Sequence, residues 1–504
     1  MSVVLAKHQR LHSAHSSGYP SILPQITRTH QITEESQPNL TMSEREERPL
    51  TPAESEKGDV PPTPTSESSV PPQDKAPLQQ DLVKPVETSE FTVRSVLVLI
   101  SCSAALFCTA GFLNAYGVLA YYTLHYLPTY SNFQISWIGS FSIFMFFVNG
   151  VPAGILTDKC GPTIPIAIGA VCELVAVFMV SLCKEYYQFF LAQGVLLGIG
   201  MAYITIAVTS TLPRYFVRNR GLAQGVSIAG SSLGGVIWPI VLDELLDTDG
   251  ISFGWTLRIC GFMMLPLMVI VIIGVKRPIV PKKQPVDSEA GLTRITTKEQ
   301  KASDAKARKA DLARLRHPSF ILLCSGLALF YFGFFSPFFY LTTYAIHIGE
   351  TQSFAFYLIA ILNAASLFGR VIPGYIADRV GPFNIITVSM LGSAIVCFCW
   401  TAVTNTAGIV VFALAYGFIS GATLSLQFAC VGAVASKETV GQAIGIVQTS
   451  IALTALFGTP IAGELVGAGG YIALSTFSGA IMLVGGAFVL AARFARSKKL
   501  MEKV

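Results

Sequence analysis

The chain has 504 residues, of which 52% are hydrophobic and 13% are charged, and its formal net charge at pH 7 is +5. An ordinary soluble domain carries about 25% charged residues. This shortage of charge argues against a soluble fold and predicts long segments in lipid, because a helix that faces hydrocarbon cannot solvate charged groups.

The N-terminal segment differs in composition from the rest of the chain. Residues 1–93 contain no apolar core of the kind found in a signal peptide, and they are rich in Pro, Ser, Thr and Glu, as in residues 60–69. A segment of this composition cannot bury enough apolar surface to offset its ordering entropy. We therefore predict a disordered cytosolic tail over 1–93, either inert or carrying phosphorylation or degradation signals.

Long apolar segments follow the tail. A membrane-spanning helix needs about 20 apolar residues. Twelve segments meet this requirement: 95–122, 134–157, 163–183, 187–212, 221–243, 254–275, 319–345, 353–377, 383–402, 406–431, 441–465 and 471–493. The predicted fold is an all-α polytopic membrane protein with twelve transmembrane helices in two six-helix halves, 94–275 and 319–495. A basic cytosolic loop, 276–318, separates the halves, and a short cytosolic tail, 496–504, ends the chain.

The connections between the predicted spans differ in charge, and this difference predicts the orientation. One alternate set is basic and contains Lys159, Arg214, Arg218, Arg220, Arg379, Lys437 and the long loop. The other set is mostly acidic and contains Asp243, Glu244, Asp247, Asp249 and Glu350. Basic loops remain in the cytosol, so both termini are predicted to be cytosolic. The plasma membrane is the predicted location of this multi-pass protein, with a vacuolar or other internal membrane as the alternative.

The two halves share an internal repeat. The motif Gly154-x-x-x-Asp158-x-x-Gly161 follows the second span, and Gly374-x-x-x-Asp378-x-x-Gly381 follows the eighth, 220 residues later. At the same offset, Gly221 at the fifth span corresponds to Gly441 at the eleventh. Parallel six-span repeats with a site at their interface are a transporter architecture.

These motifs resemble the loop signature of the major facilitator superfamily. Further stretches are similar to the fungal branch of the monocarboxylate transporter family: residues 107–117, 135–140, 187–194, 220–225, 229–235 and 363–370. The resemblance covers about residues 94–495. The chain differs from the animal carboxylate carriers of this family. Those carriers have a reactive Lys in span 1 and an Asp one turn before the span 8 Arg. Here span 1 has no such Lys, and Ser366 precedes Arg370.

The resemblance implies a gate at the cytosolic side. In the resembled fold each motif loop meets the start of a helix in the other half, which would place Asp158 near Gly441 and Asp378 near Gly221. A carboxylate is favoured at a helix N-terminus. The predicted gating residues are Gly154, Asp158, Gly161, Gly374, Asp378, Gly381, Arg218 and Arg220, the two arginines adding charge pairs. The alternative role for the aspartates is simple turn capping.

The predicted substrate site centres on Arg370, which lies about 10 Å inside the membrane at 1.5 Å per residue. A charge at that depth is costly unless it meets water or an anion, and guanidinium binds a carboxylate in a bidentate manner. The predicted substrate-binding residues are Arg370, Ser366, Asn363, Asn114, Tyr116, Tyr331 and Gln427. The alternative is a structural pair between Arg370 and another helix, for example through Glu173. Glu173, near the middle of span 3, is also the candidate proton carrier, with a structural hydrogen bond as its alternative role.

Other classes of function find no support in the sequence. The chain contains no catalytic triad, no Cys/His metal cluster and no Gly-rich phosphate loop, so we predict no enzyme activity, cofactor or metal. We expect a gradient-driven secondary transporter of a monocarboxylate or organic acid, or alternatively an exporter of a secondary metabolite. A transport-dead receptor is disfavoured because both motif loops are intact. The expected partners are the small-molecule substrate, a coupled proton and the lipid bilayer, but no nucleic acid.

Overall fold

A computed structural model describes residues 90–115, 127, 129–130, 132–248, 250–278, 311, 313, 315–499 and 502–503. Eleven helices within these residues are long and apolar enough to span a membrane. The longest, Val440–Phe494, contains Gly470 with φ 68° and ψ −166°, and this non-helical residue divides it in two. A hydrocarbon core is about 30 Å thick, so each part can cross it at 1.5 Å per residue. The predicted all-helical polytopic fold is confirmed.

We number the spanning helices α1 to α12 in chain order. They are α1 Val93–Leu113, α2 Asn132–Val148 continued by Gly150–Cys160, α3 Thr163–Val180, α4 Tyr186–Tyr215, α5 Arg220–Asp243, α6 Phe253–Gly274, α7 Pro318–His347, α8 Gln352–Val380, α9 Pro382–Cys399, α10 Thr406–Val434, α11 440–469 and α12 471–494. Most predicted spans agree with these bounds within a few residues. The first predicted span ran to 122, whereas α1 ends at Leu113. The tail up to residue 89 and most of the basic loop lie outside the described residues.

The helices expose apolar side chains on their outward faces. Val171 is 61% exposed, Ile273 63% and Val388 68%. In a water-soluble protein such large exposed apolar surface is unusual, whereas lipid solvates it. The surface and the helix lengths together make this a multi-pass membrane protein.

We call one end of the helix bundle the basic end. It contains the start of α1 and the connections α2–α3, α4–α5, α8–α9 and α10–α11, and the basic residues in or beside these connections are Lys159, Arg218, Arg379 and Lys437. Helices α1–α6 are the first half and α7–α12 the second. The halves meet along two helix pairs, α2 with α11 and α5 with α8. The functional contacts described below lie along these pairs.

Glu90, just before α1, caps the α4–α5 connection. Its Oε1 accepts hydrogen bonds from the backbone N–H groups of Val217 (2.9 Å) and Arg218 (2.8 Å), and its Oε2 accepts from the backbone N–H and the side-chain Nδ2 of Asn219, both at 3.1 Å. Partial burial raises the pKa of Glu90, but the hydrogen bonds from Arg218, Val217 and Asn219 outweigh it, so the pKa is lowered from 4.5. The carboxylate form is therefore the one that holds this connection.

Replacing Glu90 with Gln should loosen the α4–α5 connection. A lost cap of this type costs about 1 kcal/mol, which corresponds to roughly fivefold faster amide exchange. Hydrogen exchange of the Val217, Arg218 and Asn219 amides, corrected for intrinsic rates, measures this. Because the pKa of Glu90 is lowered on folding, wild-type protection should be complete above pH 4.5 and be lost as pH falls through the folded pKa. Equal protection in the two proteins at pH 7 would contradict the capping role.

Candidate substrate site and contacts between the halves

Two aspartates at the basic end bind helix starts across the interface between the halves. Asp158 of α2 accepts from the backbone N–H groups of Gly441 (3.0 Å) and Gln442 (2.7 Å) at the start of α11. Asp378 of α8 accepts from those of Gly221 (2.7 Å) and Leu222 (2.8 Å) at the start of α5. The first N–H groups of a helix have no partner within it, and the dipole adds attraction for an anion. Both contacts expected from the resemblance are thus present, and their role in gating remains a prediction.

Glycines allow the helices to approach closely at these contacts. A Cβ on Gly154 would lie 2.2 Å from the Gly441 carbonyl oxygen, and a Cβ on Gly221 would lie 2.3 Å from that of Gly374. Either side chain would force the helices apart, since real Cβ atoms do not approach an oxygen so closely. Close helix contacts through small residues are typical of membrane interiors.

The last glycine of each motif ends its helix. Gly161 follows α2 with φ 89°, and Gly381 follows α8 with φ 108°. These angles favour glycine because other residues are strained there. They allow the chain to turn immediately into α3 and α9, and this turn keeps the Asp158 and Asp378 carboxylates beside the facing helix starts.

Arginines reinforce the contacts at the basic end. Arg214 Nη2 forms an ion pair with Asp158 Oδ1 at 2.7 Å, with side-chain exposures of 7% and 1%, and Arg214 Nε donates to the carbonyl of Lys437. Arg220 Nη1 donates to the carbonyl of Gly432 at 2.6 Å. Arg220 thus crosses between the halves as expected, but through a carbonyl group. The ion pair of Asp158 comes from Arg214, which was not among the predicted gating residues.

A cavity of about 260 Å³ lies between the halves beyond these contacts. Arg370, the one charged residue among the lining residues that the structure describes, lies ten residues before the end of α8 at Val380. This places it about 15 Å from the basic end at 1.5 Å per residue. Thr342 and Phe356, near the other end of the bundle, also line the cavity. The structure is therefore closed at the basic end, with its cavity extending towards the opposite end.

The cavity wall is strongly aromatic. One face of α7 contributes Tyr331, Phe334, Phe335, Phe338, Phe339 and Thr342. Their spacing of three and four residues is that of a single helical face. Four further phenylalanines come from α2, α8 and α10: Phe146, Phe147, Phe356 and Phe428. Such a surface favours contact with an apolar or aromatic molecule.

Polar groups cluster around Arg370. Tyr331 accepts a hydrogen bond at 2.7 Å from Gln427 Nε2. Within the described part of the chain, Gln427 Oε1, Gln448 Oε1 and Arg370 Nε are buried without a hydrogen-bond partner. Arg370, Tyr331, Gln427 and Gln448 all line the cavity. Buried polar atoms normally have partners, so these groups are suited to bind a ligand.

The guanidinium of Arg370 is held from the first half. Its Nη1 donates to the carbonyl of Ile228 at 2.6 Å and to Ser231 Oγ, both on α5. No hydrogen bond or ion pair between Arg370 and Glu173 is found among the described residues. The structural alternative, in which Arg370 pairs with another helix, takes the form of these hydrogen bonds to α5 and not of an ion pair with Glu173.

The remaining predicted site residues lie in several places. Asn114 lines the cavity, and its Nδ2 donates to Asn363 Oδ1 at 3.4 Å and to the Ser231 carbonyl at 3.3 Å. Asn363 is fully buried and packs against Gly235. Ser366 faces Gly421 of α10 and is not among the described residues that line the cavity. Tyr116 lies outside the described residues.

Glu173 lies outside the cavity lining. It is fully buried, its backbone packs against Gly200 of α4, and neither side-chain oxygen has a hydrogen-bond partner among the described residues. The structural hydrogen bond that was the alternative to proton transfer is therefore not present in this part of the chain.

Several residues at the site were missed in the sequence. Arg214 lies in the last turn of α4. Its charge is a visible signal, but nothing in the sequence pairs it with Asp158. Ser231 is one of several serines in a small-residue segment, and Gln448 is a polar residue within an apolar span. Each becomes notable only through its neighbours.

Twelve spans in two halves, closed at one end around a polar and aromatic cavity, define a polytopic transporter. Residues 99–435 match the family model of the Major Facilitator Superfamily. An MFS-type transporter of Aspergillus fumigatus is 43% identical over 412 residues, covering 82% of this chain and 94% of that protein. The agnestins efflux protein of Paecilomyces divaricatus is 43% identical over 421 residues, covering 83% and 92%.

Solved structures share the fold. The crystal structure of the Escherichia coli fucose:proton symporter has a TM-score of 0.57 at 16% identity, covering 80% of this chain and 99% of that one. This chain belongs to the major facilitator superfamily: it is a transporter and not an enzyme.

Proposed function

We propose that this protein exports a small aromatic or largely apolar organic acid from the cytosol, with Arg370 binding the acidic group. The observation that carries the proposal is the composition of the cavity, in which Arg370 is the one charged residue among the lining residues that the structure describes. An anion with an aromatic body matches both this cation and the surrounding phenylalanines.

The names of similar proteins favour export over uptake as the function of this protein. A relative with 43% identity over most of both chains is named an efflux protein for agnestins. The aromatic wall on α7 also suits a larger, apolar metabolite better than a short carboxylate, which would leave most of that wall without contact. A secondary metabolite that carries an acidic group fits both observations, whereas uptake of a small monocarboxylate is supported by Arg370 alone.

The finer sequence predictions belong to this proposal. The fungal monocarboxylate-transporter-like branch remains a proposed placement, since the relatives above are named for MFS transport and efflux. Cytosolic termini would make the basic end the cytosolic end, and the plasma membrane would be the site of export. Proton coupling, with Glu173 as carrier, is proposed on its burial without hydrogen-bond partners among the described residues. The contacts of Asp158 and Asp378 would form the cytosolic gate.

Metabolite profiling of a deletion strain tests the export of an acid. Loss of the protein should raise the ratio of intracellular to extracellular concentration of one aromatic acid severalfold, since its exit route is removed. The wild-type gene should restore the ratio, and a gene encoding Arg370→Gln should not. A deletion strain that instead fails to take up an acid from the medium would contradict export.

A further inference from the structure

The hydrogen bonds of the Arg370 guanidinium cross the interface between the halves. Arg370 belongs to α8 in the second half, whereas Ile228 and Ser231 belong to α5 in the first. The backbones are tightly packed here, because a Cβ on Gly225 would lie 2.3 Å from the Arg370 carbonyl oxygen. These bonds therefore require α5 and α8 to be packed together, as they are while the basic end is closed.

We propose that Ser231, together with the Ile228 carbonyl, competes with the substrate for Arg370 and so drives substrate release. This inference rests on the proposed function, in which Arg370 binds the acidic group. In the state closed at the basic end, α5 engages the guanidinium, and the affinity for the substrate falls on the side where it must leave.

The geometry of the guanidinium supports this competition. A carboxylate binds guanidinium best through two parallel N–H groups. Here Nη1 donates to Ile228 and Ser231 of α5, while Nε is buried without a partner among the described residues. A carboxylate that approaches the two terminal nitrogens, Nη1 and Nη2, therefore meets an incomplete pair of donors. Separation of α5 from α8 at the basic end would break both α5 contacts and free Nη1 for the substrate.

This arrangement makes the substrate affinity differ between the two faces of the membrane, while the gradient that drives transport sets its net direction. A ligand binds more tightly to the state in which more of its partners are free, and a conformational change is driven only by such a difference in affinity. High affinity when the basic end is open and lower affinity when it is closed would favour loading at the basic end and release at the opposite end.

Of the two α5 groups that bind Arg370, only the Ser231 hydroxyl can be removed by mutation, because the Ile228 group is a backbone carbonyl. Its hydroxyl accepts from Arg370 Nη1 and donates to the Ile228 carbonyl at 3.0 Å. The neighbouring Ser232 is also buried, but its Oγ has no hydrogen-bond partner among the described residues, and it does not line the cavity there. Ser232→Ala is therefore a matched control that removes a hydroxyl from the same turn of α5.

Transport of 1-naphthoate into membrane vesicles of both orientations tests the inference. For Ser231→Ala, the half-saturating concentration at the face opposite the basic end should fall about tenfold, the size of one hydrogen bond to a charged group. The value at the basic face should change by less than about twofold, and Ser232→Ala should change neither. A purely structural defect would weaken binding or affect both faces, so a gain at one face is diagnostic.

The outcomes separate this inference from the proposed function. If Ser231→Ala weakens binding at both faces, or changes neither, the competition is refuted. If Arg370→Gln abolishes saturable transport of 1-naphthoate while Ser231→Ala behaves as wild type, the anion site is retained and only the competition is wrong. If Arg370→Gln binds as well as wild type, or if wild type shows no saturable transport, the proposed anion site itself is wrong.

Discussion

Replacing Arg370 with Lys is expected to abolish transport of an aromatic acid while the protein still folds and reaches the membrane. Lys retains the positive charge and can still donate to the Ile228 carbonyl, which accepts from Arg370 at 2.6 Å. It cannot bind a carboxylate through two parallel N–H groups. Loss of one or two charge-assisted hydrogen bonds, at about 1.5–3 kcal/mol each, predicts a loss of transport efficiency of at least about tenfold and up to roughly 20,000-fold.

Uptake of 1-naphthoate into membrane vesicles measures this effect, and 1-naphthamide, its neutral analogue, isolates the contribution of charge. Arg258→Lys is a matched control, because Arg258 is an α6 residue that bonds to Ser181 and is not among the described residues lining the cavity. Normal transport by the Arg370→Lys variant, or preferred transport of the amide, would show that Arg370 does not bind the acidic group. Misfolding of that variant would instead indicate a structural role.

Replacing Asp158 with Ala is expected to slow turnover more than tenfold while changing substrate affinity by less than about threefold. The carboxylate accepts from Gly441 and Gln442 and pairs with Arg214. Removing one partner of a buried ion pair costs about 3–5 kcal/mol. Under the proposed gating role these contacts form only in the state closed at the basic end, so the cost applies to that state alone. The equilibrium between states would shift by roughly a hundredfold or more, and the return to the closed state would become slow.

Comparison of equilibrium 1-naphthoate binding with the maximal transport rate of the purified variant tests the gating role. Asp378→Ala should have a smaller effect than Asp158→Ala. In the 220-residue repeat the counterpart of Arg214 is Val434, and a valine cannot form an ion pair with Asp378. Lys159→Ala, an exposed neighbour of Asp158, should leave both quantities unchanged. Loss of binding at an unchanged maximal rate would mean that Asp158 serves the substrate site instead of the gate.

The sequence was sufficient to predict the two contacts of the aspartates. The 220-residue repeat related Asp158 to Asp378 and Gly221 to Gly441, and the family resemblance indicated which loop meets which helix start. When helices of known order cross a membrane in two similar halves, a motif repeated at equivalent helix ends can contact only a few neighbouring helices. The structure adds the Arg214 ion pair, which has no equivalent in the repeat.

The site around Arg370 depended more on the tertiary structure. Its depth in the membrane followed from its position in α8. Of the predicted substrate-binding residues, Asn114, Tyr331 and Gln427 line the cavity, and their role in binding stays a prediction. The spacing of Ser366 to Arg370 placed both on one side of α8, but Ser366 faces Gly421 of α10 while Arg370 reaches α5.

What the sequence by itself determined is the class of molecule, the number of spans and the repeat, because lipid imposes length and composition on each helix separately. Only the tertiary structure decided the partners of the charged groups. Ser231 holds Arg370 from 139 residues away in the chain, and Glu90 caps a connection 128 residues away at Arg218. Helical periodicity predicts which face a residue occupies, whereas the crossing of two helices decides which neighbour that face meets.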